Sequence, residues 1–273
     1  MEISGRRREL GRFLRDRRNR VRPSDVGLPQ GARRRVTGLR REEVATLAGV
    51  GVTWYTMLEN GSAAGVSAAT LTAIAGALRL SADEIAYLHR VAEERIVDEP
   101  RADPGPVTRA ALAAIEWAPA YVCTSQWMVI AWNQAMSLVW AIEPPGGEPF
   151  NIVARMFRDP AVRAMHGAGF PGFARGLVAM VRAGLASRLE DRDFRRMCDD
   201  LRTDPLFAQA WDAYDIATPL GSVSTLVESA AIGTFSYQAL TLEIPNDDGH
   251  WIVMQVPDAP SANRLRAALS RTF

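Results

Sequence analysis

At 273 residues and 48% hydrophobic content the chain can bury two ordinary cores, which excludes a small domain stapled by disulfides. Its two cysteines, Cys123 and Cys198, form no C-x-x-C pair, no run of about 18 apolar residues offers a membrane span, and the basic N-terminus lacks the apolar core of a secretory signal, so a cytoplasmic protein is expected. The net charge of +1 hides an asymmetry: residues 1–41 carry 14 Arg against Glu2, Glu9, Asp16 and Asp25, a net of +10, and the remainder carries 18 Arg against 27 acids, a net of −9.

So dense a positive segment suits a polyanion, because neutralising phosphates releases condensed counterions; a merely solubilising arm would carry the same charge. Five short helices are read from caps and from i, i+3, i+4 apolar spacing. Helix one, over 6–20, turns Leu10, Phe13 and Leu14 inward. A loop over 22–38 leads to helix two, over 40–48, which buries Val44, Leu47 and Ala48. After a turn at Gly49-Val50-Gly51, helix three, over 52–59, places Tyr55 and Leu58 inside and ends at the left-handed cap signal Asn60-Gly61. Helix four carries Leu71, Ile74, Ala75 and Leu78. Helix five opens on the capping box Ser81-Ala82-Asp83-Glu84 and buries Ile85, Leu88 and Ala92.

Helices two and three have the spacing of a helix-turn-helix: a small Ala45 where helix three crosses, Gly49 to turn the chain, Val50 to plug the corner. The segment Arg41–Gly61 resembles the phage-repressor and XRE family of regulators. The wider stretch from Leu10 to Ala92 is similar to the DNA-binding part of actinobacterial MmyB-like regulators, in which a run like Gly38-Leu39-Arg40-Arg41-Glu42-Glu43-Val44-Ala45 recurs. That resemblance implies double-stranded DNA as partner, with the start of helix three in the major groove, where Val52, Thr53 and Thr56 meet base edges and Met57 and Trp54 flank them; Asn60 is a further DNA-binding candidate. Arg40 and Arg41 are candidates for a shared phosphate, and Arg33, Arg34 and Arg35 for a phosphate clamp or a minor-groove arm. The alternatives are that Arg40 and Arg41 pair with Glu43 or Glu59, that Trp54 is packing, and that Glu59 ties helix three to a neighbour.

The three prolines and missing periodicity around 98–106 read as a linker, giving a helix-turn-helix domain over 1–96, a linker over 97–106 and a second domain over 107–273. There, Tyr121–Cys123 and Met128–Trp132 suggest a hairpin and Asn133–Trp140 a helix. Three helices follow, with the stripes Phe173/Leu177/Met180/Val181, Phe194/Met197/Cys198/Leu201 and Phe207/Ala210/Trp211/Tyr214. Strands are expected over 224–230, 234–245 and 250–256, with a bulge where apolar parity slips at Ala239 and Leu240, a hairpin loop at Asn246–Gly249, and a last helix over 260–270. Segregated strands and helices point to an α+β layer.

The same MmyB-like family is matched by Ala131-Trp132-Asn133, by Asn151–Phe157 with Asp159-Pro160, by Phe207, Trp211 and Tyr214-Asp215, and by Gly233 with Leu242–Pro245. The resemblance implies a PAS-like ligand-binding domain and a small apolar ligand, since the family includes a fatty-acid binder; a homodimer whose DNA-binding heads shift on ligand binding is the expected working form. Departures at Tyr214, where relatives carry His, at Glu228-Ser229 in place of a His-Pro pair, and at His166–Gly169 in place of an aromatic leave the ligand open. Candidate lining residues are Trp132, Met136, Trp140, Phe157, Met180, Trp211 and Tyr237, each of which ordinary core packing would also explain. Arg155 or Tyr214 is the candidate anchor for a polar head, unless Arg155 pairs with Asp159 or Asp215. Gly167-x-Gly169-x-x-Gly172 follows a helix rather than a strand, and His89, His166 and His250 lack ligand spacing, so no cofactor, metal site or enzyme activity is expected. Two other readings stay open: a C-terminal interaction module with no small ligand, and an oxidoreductase with a DNA-binding head.

Overall fold

The computed structural model describes residues 5–29, 37–63, 65–93, 103–186, 188–189, 191–217, 224–244 and 249–272. The chain divides into two units, Met1–Ile96 with Arg182–Arg192, and Val97–Val181 with Asp193–Phe273.

In the first unit the arginines are spread around one apolar stripe. Helix α1 (Gly5–Arg20) buries Leu10, Phe13 and Leu14 on that stripe. It packs on α5 (Ala82–Ala92) through Phe13 and Tyr87, whose rings lie 5.0 Å apart, while the Tyr87 hydroxyl donates to Glu9 at 2.7 Å. Arg17 adds an ion pair to Glu84 at 2.8 Å. Between these helices run α2 (Arg41–Leu47), α3 (Val52–Glu59) and α4 (Ala68–Ala77). The start of α5 is fixed by the expected capping box, with Ser81 accepting from Glu84 N and Glu84 from Ser81 N. Its buried face is rotated from expectation. Tyr87, Leu88 and Val91 are inside, whereas Ile85 and Ala92 are half-buried, because the helix meets α1 along the Tyr87 edge.

In the second unit, β1 (Ala120–Thr124), β2 (Met128–Trp132), β3 (Phe150–Asn151), β4 (Ser224–Ser229), β5 (Gly233–Glu243) and β6 (His250–Pro257) form one antiparallel sheet, ordered β3-β2-β1-β6-β5-β4. The long-range step is β1 beside β6, with Ala120 opposite Met254. No bulge falls at Ala239 and Leu240: β5 pairs β6 without interruption from Tyr237↔Pro257 to Glu243↔Trp251, and the register shift sits instead between Val122 and Cys123. The parity slip has another cause. Phe235 and Tyr237 are buried on one face, while Leu240 and Leu242 lie on the opposite face with Leu226, exposed by 39, 42 and 59%. Asn246, Asp247 and Asp248 of the expected hairpin loop lie outside the described residues.

Helix α6 (Gly105–Ala113) covers part of that second face, where Leu112 packs with Ala120, Val122, Ile130, Ala131 and Met254. The remaining helices are α7 (Gln134–Trp140), α8 (Ile152–Arg158), α9 (Pro160–His166), α10 (Phe170–Leu185), α11 (Arg192–Leu201), α12 (Pro205–Asp212) and α13 (Ala259–Thr272). The architecture is therefore an all-helical N-terminal region followed by an α+β region. Helices α6, which starts inside the expected linker, and α8, with the short β3, escape the sequence reading, and α9 is read only as a helix ahead of Gly167, without limits. Seven residues show no apolar period, although Asn151 caps α8 by accepting from Ala154 N at 2.9 Å and Asp159 caps α9 by accepting from Ala161 N at 2.9 Å.

Candidate functional site

Helix α2 begins where the Glu43 carboxylate accepts from the Arg40 backbone N at 2.7 Å, and it ends as Gly49 enters the left-handed region at φ 65°. Val50 N then donates to Ala45 O at 2.9 Å, closing the turn. Ala45 is fully buried at the crossing with α3, where a longer side chain would push the helices apart. Leu47, expected inside, is 40% exposed, since α2 meets α3 and α4 through Val44 and Ala45 and leaves Leu47 on the rim.

On α3, Tyr55 and Leu58 are buried, and Gly61 takes the left-handed cap at φ 75°. The opposite side of the helix is open: Val52 is 45% and Met57 42% exposed, and Thr53 is also exposed. Thr56 is half-buried and its hydroxyl donates to Val52 O at 2.9 Å. Trp54 is half-buried, and Asn60, exposed, accepts from Arg15 Nη2 at 3.2 Å.

Glu59, the last residue of α3, has a fully buried side chain held by three arginines. Arg18 donates to it twice, Nε to Oε1 at 2.6 Å and Nη2 to Oε2 at 3.2 Å, Arg41 Nε donates to Oε2 at 2.7 Å, and Arg15 Nε stands 4.0 Å away. Burial pushes this carboxyl up, but the hydrogen bonds and charges of Arg18 and Arg41 together outweigh it and hold the carboxyl below the ordinary glutamate range. Burial and the neighbouring Glu59 charge raise the Tyr55 phenol well above its usual range. Arg18 also donates to Leu39 O at 2.9 Å, so one side chain joins α1, the start of α2 and the end of α3. Arg41 is thus committed to Glu59, while the Arg40 side chain makes an exposed contact with Glu42 at 3.2 Å. Arg33, Arg34 and Arg35 lie outside the described residues.

In the second unit Asn133 is the tie at the end of β2: its Oδ1 accepts from Ala120 N and Met136 N, both at 3.0 Å, and its Nδ2 donates to Ala118 O at 2.9 Å. Of the candidate lining residues, Trp132, Met136, Trp140, Phe157, Trp211 and Tyr237 are buried and Met180 is half-buried. Four of them belong to one chain of rings. Trp211 stacks on Phe207 at 5.6 Å, Phe207 meets Phe157 at 5.1 Å, Phe157 meets Phe170 at 5.9 Å, and His166 joins Phe170 to Trp140 at 5.8 Å each, with Tyr237 6.3 Å beyond. Trp132 stands apart from this chain, against Phe150 at 5.5 Å, and its indole N donates to Ser137 Oγ and Glu143 O. Arg155 pairs with Asp159 at 3.3 Å and lies over Phe150, whereas Asp215 is taken by Arg175 at 2.7 Å. Tyr214 is buried at the end of α12 with φ 55°. A cavity of about 220 Å³ is lined by Phe157, Arg158, Asp200, Leu201, Thr203, Asp204 and Pro205, a more polar wall than the sequence candidates describe.

Residues 104–269 match the model of the MmyB-like transcription regulator ligand-binding domain. The chain belongs to this family. Residues 9–88 of this MmyB-like regulator match a helix-turn-helix domain, which identifies a DNA-binding transcription regulator with an appended ligand-binding domain. No match is found among curated proteins. The domain content is that of a regulator rather than an enzyme. Among the described residues of the regulator, no helix is long and apolar enough to cross a membrane and no cluster of His, Cys, Asp and Glu could hold a metal.

The sequence reading passed over two groups of the regulator. Arg15 and Arg18 join Glu59 from α1; their spacing to it, more than 40 residues, gives no local signal. His166, which the sequence presents as a histidine without ligand spacing and as a departure from a family aromatic, joins the aromatic chain at the end of the helix that Pro160 starts.

Proposed function

We propose that the regulator binds specific duplex DNA in the cytoplasm as a homodimer, and that a small apolar ligand in the C-terminal domain, fatty-acid-like in the broad sense, changes its DNA affinity. The domain limits that go with this reading are 1–96, a linker over 97–106, and 107–273. The observation that carries it is the open side of α3: Val52 and Thr53 at its start and Met57 a turn further along are exposed on a helix whose other side is locked to α1, with Arg15 and Arg40 exposed beside it. Apolar and hydroxyl groups at these positions suit thymine methyls and mixed polar edges rather than bidentate guanine contacts, so part of the selectivity rests on DNA shape. Thr56 contributes its methyl, its hydroxyl proton being held by Val52. Homodimerisation is supported by the apolar sheet face bearing Leu226, Leu240 and Leu242, which a monomer leaves in water.

The test is a duplex selected from a random pool, titrated by fluorescence anisotropy at several salt concentrations. Substituting Arg15 and Arg40, the two exposed arginines beside α3, together by Ala should weaken binding to all sequences and flatten the salt dependence by up to about 2 in log–log slope, Arg41 being spent on Glu59. Substituting Val52 or Thr53 should change the selected sequence and leave the slope alone. An unchanged slope in the double variant counts against the docking mode. The same exposed sheet face favours a second reading, in which the C-terminal domain receives a protein partner and no small molecule; extraction of lipid from the purified regulator separates the two, since co-purifying apolar material belongs only to the first.

A further inference from the structure

We infer that His166 is the polar anchor of the ligand domain, accepting a hydrogen bond from an aromatic or other apolar ligand that bears a hydroxyl or N–H. This rests on the proposed small-ligand reading and narrows it. His166 is 6% exposed, at the end of α9. Its Nδ1 lies 2.8 Å from Val162 O. A carbonyl can only accept, so Nδ1 carries the proton and Nε2 of the neutral ring presents a bare lone pair. That Nε2 is buried and has no hydrogen-bond partner. Buried acceptors are nearly always satisfied, and one that is not marks a place for water or a ligand.

The surroundings select among donors. Phe173 lies 4.2 Å from the imidazole, ring centre to ring centre, with Trp140 and Phe170 at 5.8 Å. These rings offer π faces and no hydrogen-bond donor toward it, because the one polar group among them, the Trp140 indole N–H, is given to Gln255 Oε1 at 2.6 Å. Burial lowers the affinity of the ring for a second proton, only partly offset by the Val162 carbonyl, so a carboxylate would meet a lone pair instead of an N–H. An undissociated O–H or an N–H fits. The next residues in the chain, Gly167-Ala168-Gly169, are exposed and nearly without side chains.

The probes are 2-naphthol, which carries the donor, and 2-methoxynaphthalene, which does not, titrated into the full chain by calorimetry. The alcohol should bind about tenfold tighter, the worth of one buried hydrogen bond, and His166→Phe should abolish that preference while keeping affinity for the ether. In wild-type protein labelled with 15N-histidine, the Nε2 resonance of His166 should move on adding 2-naphthol and stay in place with the ether, a readout that does not depend on the variant folding. Equal affinities in the wild type, a preference that survives in His166→Phe, or an Nε2 resonance already at a hydrogen-bonded position and unmoved by the alcohol each overturn the assignment of His166 while leaving an apolar site in the domain. Binding of neither probe overturns the assignment and counts against the small-ligand reading as well.

Discussion

Replacing Glu59 by Gln removes one charge and almost no volume from the centre of the DNA-binding head. In the native protein the carboxylate side chain is fully buried and Arg18 is 9% exposed, whereas Arg41 is 40% exposed. Water screens the Arg41 pair, which contributes at most about 1 kcal/mol. The Arg18 pair is different: without its counter-ion the guanidinium stays buried with only Leu39 O and Asn19 Oδ1 as partners. Breaking such a pair from one side costs about 3–5 kcal/mol. The amide of Glu59→Gln would keep one acceptor, which puts the loss near the lower end, and at about 4–8 °C per kcal/mol for a domain of this size Tm of the head should fall by more than about 10 °C. Calorimetry of the full chain, with the helix-turn-helix transition assigned by adding duplex DNA, measures it. The pH dependence has a fixed sign. Because the folded carboxyl is held below its unfolded value, its contribution is fully present above the unfolded value and disappears as the pH falls through the folded one. Wild type and Glu59→Gln should therefore converge in acid and diverge toward neutrality. A loss under about 1 kcal/mol at neutral pH, against the value expected for a one-sided break, would refute the view that this cluster holds the head together.

Two more outcomes follow from packing and exposure. Gly11→Ala should destabilise the head by about 1–3 kcal/mol or more, measured by urea unfolding, because a Cβ there would overlap the Glu59 carbonyl of α3. Substituting Leu240 and Leu242 together by Glu should convert the proposed dimer to monomer in sedimentation velocity, with secondary structure unchanged by circular dichroism, since both side chains are already 39 and 42% exposed.

The helix-turn-helix was legible because its constraints are local. Ala45, Gly49 and Val50 each answer one steric demand of a tight corner, and the helices around them fall within a residue or two of the sequence limits. The strands β1, β2, β4, β5 and β6 were legible by composition, but which face their leucines take was not. Leu240 and Leu242 look like core in a string of letters and lie on an open face because pairing with β4 and β6 puts them on the side opposite Phe235 and Tyr237. The partner of Glu59 could be narrowed to its neighbours yet not extended to Arg15 and Arg18, which meet it only after α1 folds back. Arg155 had two carboxylates in prospect, and the i, i+4 partner Asp159 took it because no loop has to close.

The junction of α1, α2 and α3 also limits how this head can be governed. Gly38 leaves no room for a side chain against the backbone of Arg18 and Asn19, Leu39 N donates to Arg18 O at 2.9 Å, and Gly11 meets the end of α3 in the same bare-backbone fashion. A helix clamped main chain to main chain at its far end has no hinge of its own. The end of α3 and the approach to α2 are therefore joined to α1 through backbone at Gly11 and at Gly38, with no side chain between them to yield.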